Sequence, residues 1–471
     1  MADKDLAFIT ATEAITAFKA RKLSPVELLK AVEAQFDKAN GKVNAFTYTF
    51  FDQALIQARN AEKRYATGRP TRPFEGVPLM IKDIHQIKGY VTTFGSLLHK
   101  RNVDEVTELF VERMLKAKPV LIGRSTNPEF AASCITHSRL WGITRNPWNT
   151  RYNSGGSTGG GAAAVAAGMT VLSDGSDYAG SIRVPASSCG VFGYKPPAGR
   201  VPHSQPWNLN GYAVFGPITR SVADAALMMN VIAGQHPRDI TSVREKLRYP
   251  DRYEKIKGWR VAYSPDLGCF EVDPEVAKAT RAALEAFREA GAEIEEVELG
   301  WSKDIVLGFL AHARENDFEP AHLLPMHKRK LLTNYIRANT PRTDLAKRLT
   351  YADSLNLRAD MWAKLAPVLK RCQVLLCPTL AIPAQPANYN PVDRSLKING
   401  KKVESEIGWV MTFPFNMLSQ LPAATVPCGF AKSGVPIGLQ IVGRPYDDLT
   451  VFQAAAAFEK ARPWRKYRPK L

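Results

Sequence analysis

Between Tyr152 and Pro202 the chain reads YNSGGSTGGGAAAVAAGMTVLSDGSDYAGSIRVPASSCGVFGYKPPAGRVP. This stretch constrains the fold more than any other. It carries two glycine-flanked serines, Ser157 and Ser181, which lie 181 − 157 = 24 residues apart. Between them, Ala162 to Gly168 is built of small residues with good helix propensity, and Gly168 can cap the helix they form. Small side chains let such a helix pack tightly against a sheet. A short strand near Met169 to Ser173 should follow, then a second glycine turn holding Ser181. Helix and strand together fold Ser181 back toward Ser157, the geometry that catalysis by two hydroxyls needs.

Neither serine decides the matter alone. Gly155-Gly156-Ser157-Thr158-Gly159 matches the G-x-S-x-G nucleophile elbow, but that motif needs a strand directly before it. Asn146 to Asn153 reads as loop instead. A phosphate cradle fits less well, since no Gly-Lys-Ser/Thr follows the glycines. Taken singly, each serine is also compatible with a plain glycine turn. The apolar run Gly76-Val77-Pro78-Leu79-Met80-Ile81-Lys82-Asp83 adds a third group. If Val77 to Ile81 is a buried strand, Lys82 sits at its mouth, partly desolvated. Desolvation favours the neutral amine and lowers its pKa from the reference of ~10.4, so the lysine could act as a base. A lysine snorkelling to solvent from a strand end is the competing reading.

Together these three segments resemble the amidase signature family, whose hydrolases use a Ser–cis-Ser–Lys triad. The resemblance rests on G-G-S-[ST]-G-G, on D-x-x-G-S-[IL]-R and on the upstream G-V-P-x-x-[IV]-K-D, all present and in order. It implies Lys82 as base, Ser157 as bridging serine after a cis peptide from Gly156, and Ser181 as nucleophile. It implies an oxyanion hole of backbone amides from Tyr178, Ala179, Gly180 and Ser181. It also puts the loop from Ser125 to Asn149, with Ser133 and Cys134, against the substrate acyl group. The implied fold is α/β: a large mixed, mostly parallel β-sheet covered by helices on both faces. It forms one domain over residues 1–471, with the signature core in 76–234 and a variable, substrate-selecting region in 302–407. The implied reaction is hydrolysis of a carbon–nitrogen amide bond through a serine acyl-enzyme. The substrate would be a small or apolar amide, with carbamates or esters as side substrates. The alternative within the family is the A-type glutaminase subunit of a tRNA-dependent amidotransferase. No cofactor and no metal are implied. The expected partner is a small-molecule amide, with no nucleic acid and no membrane, and a homodimer is open to such a chain. Two positions depart from the family pattern: Ala179 stands where glycine is usual, and Gly161 where serine or glutamate is usual.

Composition narrows the setting. The chain has 471 residues, 63 Lys and Arg against 45 Asp and Glu, and a formal charge of +18. The basic residues are spread out, apart from Lys328-Arg329-Lys330 and the tail from Arg462 to Lys470, and no nucleic-acid-binding motif stands out. Six scattered cysteines show neither metal-ligand spacing nor a disulfide framework. With no basic-then-apolar leader and no apolar run of ~20 residues, a reduced cytoplasmic setting is expected.

Elsewhere the pattern predicts scaffold. Ser24-Pro25-Val26-Glu27 is a capping box opening a helix. Further helices are expected near Phe51 to Ala66 and near Glu105 to Ala117, and one after Ser221. A strand–helix–strand unit is expected over Trp259 to Leu299, with Asp273 as N-cap and Gly291 past the end. Asp177 and Arg183 are spaced to pair across the Ser181 turn. His137, in a loop, is expected to be a surface or capping residue. Residues 302–371 read as helical, with Thr343 as an N-cap and Pro367 kinking or ending the last helix. Phe309, Phe318, Leu323, Leu324, Met326 and Tyr335 there suit either core or an apolar pocket wall. The stretch 384–407 reads as irregular loop.

Overall fold

The computed structural model describes residues 6–315, 324–338 and 349–471. Eleven strands form one sheet: β1 (Phe46–Thr49), β2 (Pro78–Lys82), β3 (Val120–Ser125), β4 (Leu172–Asp177), β5 (Phe192–Lys195), β6 (Val214–Thr219), β7 (Arg260–Tyr263), β8 (Glu293–Glu296), β9 (Val374–Pro378), β10 (Ala423–Phe430) and β11 (Pro436–Val442). Their order across the sheet is β1-β3-β2-β4-β6-β5-β10-β11-β9-β7-β8. The helices that matter here are α1 (Pro25–Val43), α2 (Phe51–Ala66), α3 (Gly159–Ala166), α4 (Arg183–Cys189), α5 (Val222–Ile232), α6 (Pro274–Glu289), α7 (Asp304–Glu315), α8 (Tyr351–Arg371) and α9 (Asp448–Ala461).

The sheet is mixed, as expected, and its parallel pairs fall in two blocks. β3, β2 and β4 run parallel at one end, and β9, β7 and β8 at the other. The remaining neighbours are antiparallel. Parallel neighbours need a crossover, which α6 supplies between β7 and β8. The chain turns straight back between β10 and β11, at the bond from Ala431 N–H to Val435 O, which makes that pair antiparallel. Helices cover both faces. Val374 and Leu376 of β9 join a core with α5, α6 and α9, whereas Leu375 and Cys377 join a second core with α7 and α8. That alternation is the two-residue period of a strand buried on both sides.

Local signals explain many boundaries. Ser24 and Glu27 form the expected capping box on α1, with Pro25 at its first position. The helix expected over Phe51 to Ala66 is α2. Ser221 caps α5, and Asp273 caps α6 by accepting from Glu275 N–H. Gly291 follows α6 at φ +89°.

Four expectations shift. The strand placed at Met169 to Ser173 begins only at Leu172 and runs to Asp177. The reason is that Gly168, at φ +76°, and Met169, whose N–H bonds Ala164 O, are consumed in closing α3. The helix placed from Glu105 spans only Leu109–Lys116, because Asp104 is drawn into the preceding loop by Ile87 N–H and Thr92 Oγ1. Pro367 does not end α8, which continues to Arg371 with Val368 and Leu369 packed into the core. The irregular stretch 384–407 contains a small two-stranded pair, Lys397–Ile398 with Lys401–Lys402. The cap on α8 is Thr350, bonded reciprocally with Asp353. Thr343, Phe318 and Leu323 lie outside the described residues. No helix among the described residues is long and apolar enough to cross a membrane.

Candidate active site

Lys82 ends β2, a strand whose five residues are all buried because β3 and β4 flank it. Its side chain is fully buried too. Nζ lies 2.7 Å from Ser157 Oγ and 2.8 Å from Ser176 Oγ. Burial pushes the amine down from 10.5 to about 7, while Asp174 and then Asp177 pull the other way. Asp83 does not face the amine: its carboxylate takes the Thr93 N–H at 3.1 Å and lies 3.7 Å from Arg124 Nη2.

Ser157 lies in the turn entering α3, and the Gly156–Ser157 peptide is cis, as expected. A side chain at Gly156 would meet Ser133 O at 2.7 Å and Ile135 N at 2.8 Å, so this turn is pressed against the Ser133 loop. α3 is small throughout for the same reason. A Cβ on Gly160 would meet Thr126 N at 2.5 Å, and one on Gly161 would collide with Ser173 Oγ. The Ser173 hydroxyl thus fills the space beside Gly161.

Ser181 sits in the turn between β4 and α4 and is 7% exposed. Thr158 N–H donates to Ser181 O at 3.1 Å, which brings the two serine turns into direct contact. Among the described residues no hydrogen bond joins Ser157 Oγ to Ser181 Oγ; catalytic bonds of this kind often tighten only around substrate. The turn is held by Asp177, whose carboxylate accepts from Gly180 N–H (2.9 Å), Ile182 N–H (3.2 Å), Asn416 Nδ2 (2.8 Å) and Arg183 (2.8 and 3.0 Å). Burial would raise the Asp177 carboxyl, but Arg183 and Asn416 hold it below its ordinary range. Arg183 also donates to Thr412 O and Gln440 Oε1. The expected Asp177–Arg183 pair is therefore one edge of a buried network.

The alanine departure costs the turn little. Only Gly180, at φ +119°, takes a left-handed conformation there, and Ala179 does not. Thr412 Oγ1 donates to Ala179 O at 2.6 Å. Next to it, the Tyr178 ring lies 5.6 Å from Phe309 and 5.9 Å from Tyr212.

Ser133 and Cys134 are buried beside the cis-serine turn. The His137 ring bonds neither serine, and burial lowers its pKa. What sequence reasoning missed is how this loop is fastened. Buried Glu129 accepts from Ser96 Oγ (2.5 Å), Thr333 N–H (2.6 Å) and Thr333 Oγ1 (2.7 Å). Tyr335 OH accepts from Glu129 N–H and donates to His137 O, both at 2.7 Å. Ser176 was missed as well. In a strand Asp174 and Ser176 share one face, and with β4 placed beside β2 both turn to Lys82.

Comparison with known proteins identifies the family. The family model described as Amidase matches residues 27–452. An acylamidase of Rhodococcus erythropolis is 35% identical, over 100% of this chain and 98% of its own length. The A-type subunit of the glutamyl-tRNA(Gln) amidotransferase of Chloroflexus aggregans is 34% identical, over 99% of both chains. Among solved structures, a bacterial aryl acylamidase of the amidase signature enzymes superposes with a TM-score of 0.88 at 30% identity, covering 98% of this chain and 97% of its own. A 6-aminohexanoate cyclic dimer hydrolase superposes with a TM-score of 0.83 at 28% identity, over 99% of both chains. On sequence and fold together, this chain belongs to the amidase family and is an amide hydrolase.

Proposed function

We propose that the chain cleaves an amide through a covalent acyl-enzyme on Ser181, with Ser157 as proton bridge and Lys82 as base. The observation that carries this reading is the 2.7 Å contact between Lys82 Nζ and Ser157 Oγ, in a site so buried that the amine gives up its proton near pH 7. Lys82 takes the Ser157 proton as Ser157 takes that of Ser181, and Ser181 Oγ attacks the carbonyl carbon. Backbone amides stabilise the oxyanion. Of the four in the turn, Gly180 N–H is committed to Asp177, so we assign the role to Tyr178, Ala179 and Ser181. The proton returns through Ser157 to the leaving nitrogen and the C–N bond breaks. Water then attacks the ester, releasing the acid and restoring the Ser181 hydroxyl.

The aromatic rings beside the nucleophile turn, Tyr178 and Phe309, support an apolar amide, and amides bearing an aryl group are the first to assay. Carbamates and esters can enter by the same acyl chemistry. This reading makes the partner a small molecule rather than nucleic acid, in the cytoplasm, with a homodimer open to the chain. Its test is labelling by a fluorophosphonate, with the adduct mapped by mass spectrometry. Ser181→Ala should lose label and activity together, whereas an adduct on Ser157 would refute the assignment. The relation to the Chloroflexus protein favours one other reading, a glutaminase component serving a tRNA-dependent complex. Native protein that co-elutes on gel filtration with partner chains and tRNA would favour that role over a free hydrolase.

A further inference from the structure

Two buried side chains behind Lys82 take no part in the steps above. Asp174, in β4, is fully buried, and His85 is nearly so. The backbone ladder between β2 and β4 pairs Leu79 with Leu172 and Met80 with Ser173. Beyond it the Asp174 side chain takes over: Oδ1 accepts the Lys82 backbone N–H at 2.8 Å. Asp174 Oδ2 meets His85 Nδ1 in a short hydrogen bond. His85 is in turn tied to the lysine by its own N–H, which donates to Lys82 O at 3.1 Å.

Apolar rings enclose the imidazole. The rings of Phe110 and Phe215 stand edge-on to His85 at 4.9 and 5.1 Å. His85 Nε2 is buried with no hydrogen-bond partner among the described residues. A carboxylate only accepts, so Nδ1 carries the proton that faces Asp174. Asp174 thus has both of its oxygens engaged at the strand end that carries the proposed base.

We infer that Asp174, steadied by His85, is a positioning residue that anchors the main chain of Lys82 and sets its carboxylate behind the amine of the proposed base. The inference rests on Lys82 being the base. Other charges face the same place. Asp177 acts in the same direction but is bound to Arg183, and Asp83 is held by Thr93 and Arg124. Arg124 points Nη2 at Lys82 O and His85 O, at 3.3 and 2.7 Å, and Asp104 lies on its far side through Thr92. His203 is neutral, pushed by burial to about 4. Ser157 and Ser176 carry no charge.

The test is the pH profile of kcat/KM for a neutral amide, in wild type, Asp174→Asn and His85→Asn. Asp174→Asn keeps an oxygen for the Lys82 N–H but removes the charge, so the rising limb should move toward acid by about one pH unit, the low end of what a nearby charge does. His85→Asn keeps an N–H donor for the carboxylate, so its limb should stay with the wild type's. If Asp174→Asn lowers the plateau and leaves the limb in place, the residue is merely structural and the inference is overturned. If the wild type has no rising limb, Lys82 is not the base, and the triad reading falls with this one. Should Asp174→Asn fail to fold, Asp174→Ser replaces it, a smaller uncharged side chain that also removes the carboxylate, and an unmoved limb again overturns the inference.

Discussion

The protonation of Lys82 should govern both rate and stability. Burial brings the amine from 10.5 to about 7, a gap of roughly 5 kcal/mol at ~1.36 kcal/mol per pH unit. The base must be neutral to act, so kcat/KM should rise about tenfold per unit below pH 7 and level off above it. At pH 5 it should stand roughly 100-fold below its plateau. Lys82→Ala should lose on the order of 10²–10⁴ in kcat/KM at neutral pH, the usual worth of a general base. Lys82→Arg should fail as well, because a guanidinium stays protonated. The stability sign follows from the same numbers. The folded pKa is depressed, so between about pH 7 and 10.5 the unfolded chain binds the proton more tightly, and stability rises with pH across that window. Lys195, also lowered by burial to about 7, adds a contribution of the same sign. Subtracting the profile of Lys82→Met from that of wild type isolates the Lys82 share. The assays are steady-state turnover of a neutral amide from pH 5 to 9 and urea midpoints from pH 6.5 to 10. Near-normal turnover by Lys82→Ala at pH 7, or a wild-type profile without a rising limb, would refute the reasoning.

Two further substitutions probe the nucleophile turn. Gly180→Ala would force a Cβ to 2.7 Å from Thr412 Cβ and to a clash with its hydroxyl, at φ +119°, so kcat/KM should fall by about 10² or more; wild-type turnover would show that the turn yields freely. Arg183→Leu would strip the charged partner from fully buried Asp177 and should lower stability by about 3–5 kcal/mol, read as a drop in urea midpoint; a shift under ~1 kcal/mol would mean that the network is dispensable.

The meeting of Lys82 with the two serine turns was legible because each member stands in a short local pattern: an apolar run ending in Lys82, and glycines around Ser157 and Ser181. The Asp177–Arg183 pair was legible for the same reason, its two members standing 6 positions apart. Contacts made across the sheet or between distant loops were not. Ser176 reaches Lys82 across 94 residues, Asp174 reaches its backbone across 92, and Thr333 meets Glu129 across 204. Each depends on which strands or loops become neighbours, which residue spacing along the chain does not encode. Boundaries slipped where a side chain overrode propensity, as when Asp104 was taken by the Ile87 and Thr92 loop and shortened the following helix. Pro367 misled in the other direction, since burial of Val368 and Leu369 carries α8 past it.

The clasp at Glu129 has a consequence for recombining such chains. One carboxylate and one phenol join the stretch that would choose the ligand to the Ser133 loop, through Thr333 and Tyr335. Any transplant of the 302–407 cassette between relatives must therefore bring a hydroxyl and a phenol at those two sites. A graft lacking them would leave the buried Glu129 carboxylate with Ser96 alone as side-chain donor and loosen the Ser133 loop, so a failed chimera would report a broken joint and not an incompatible pocket.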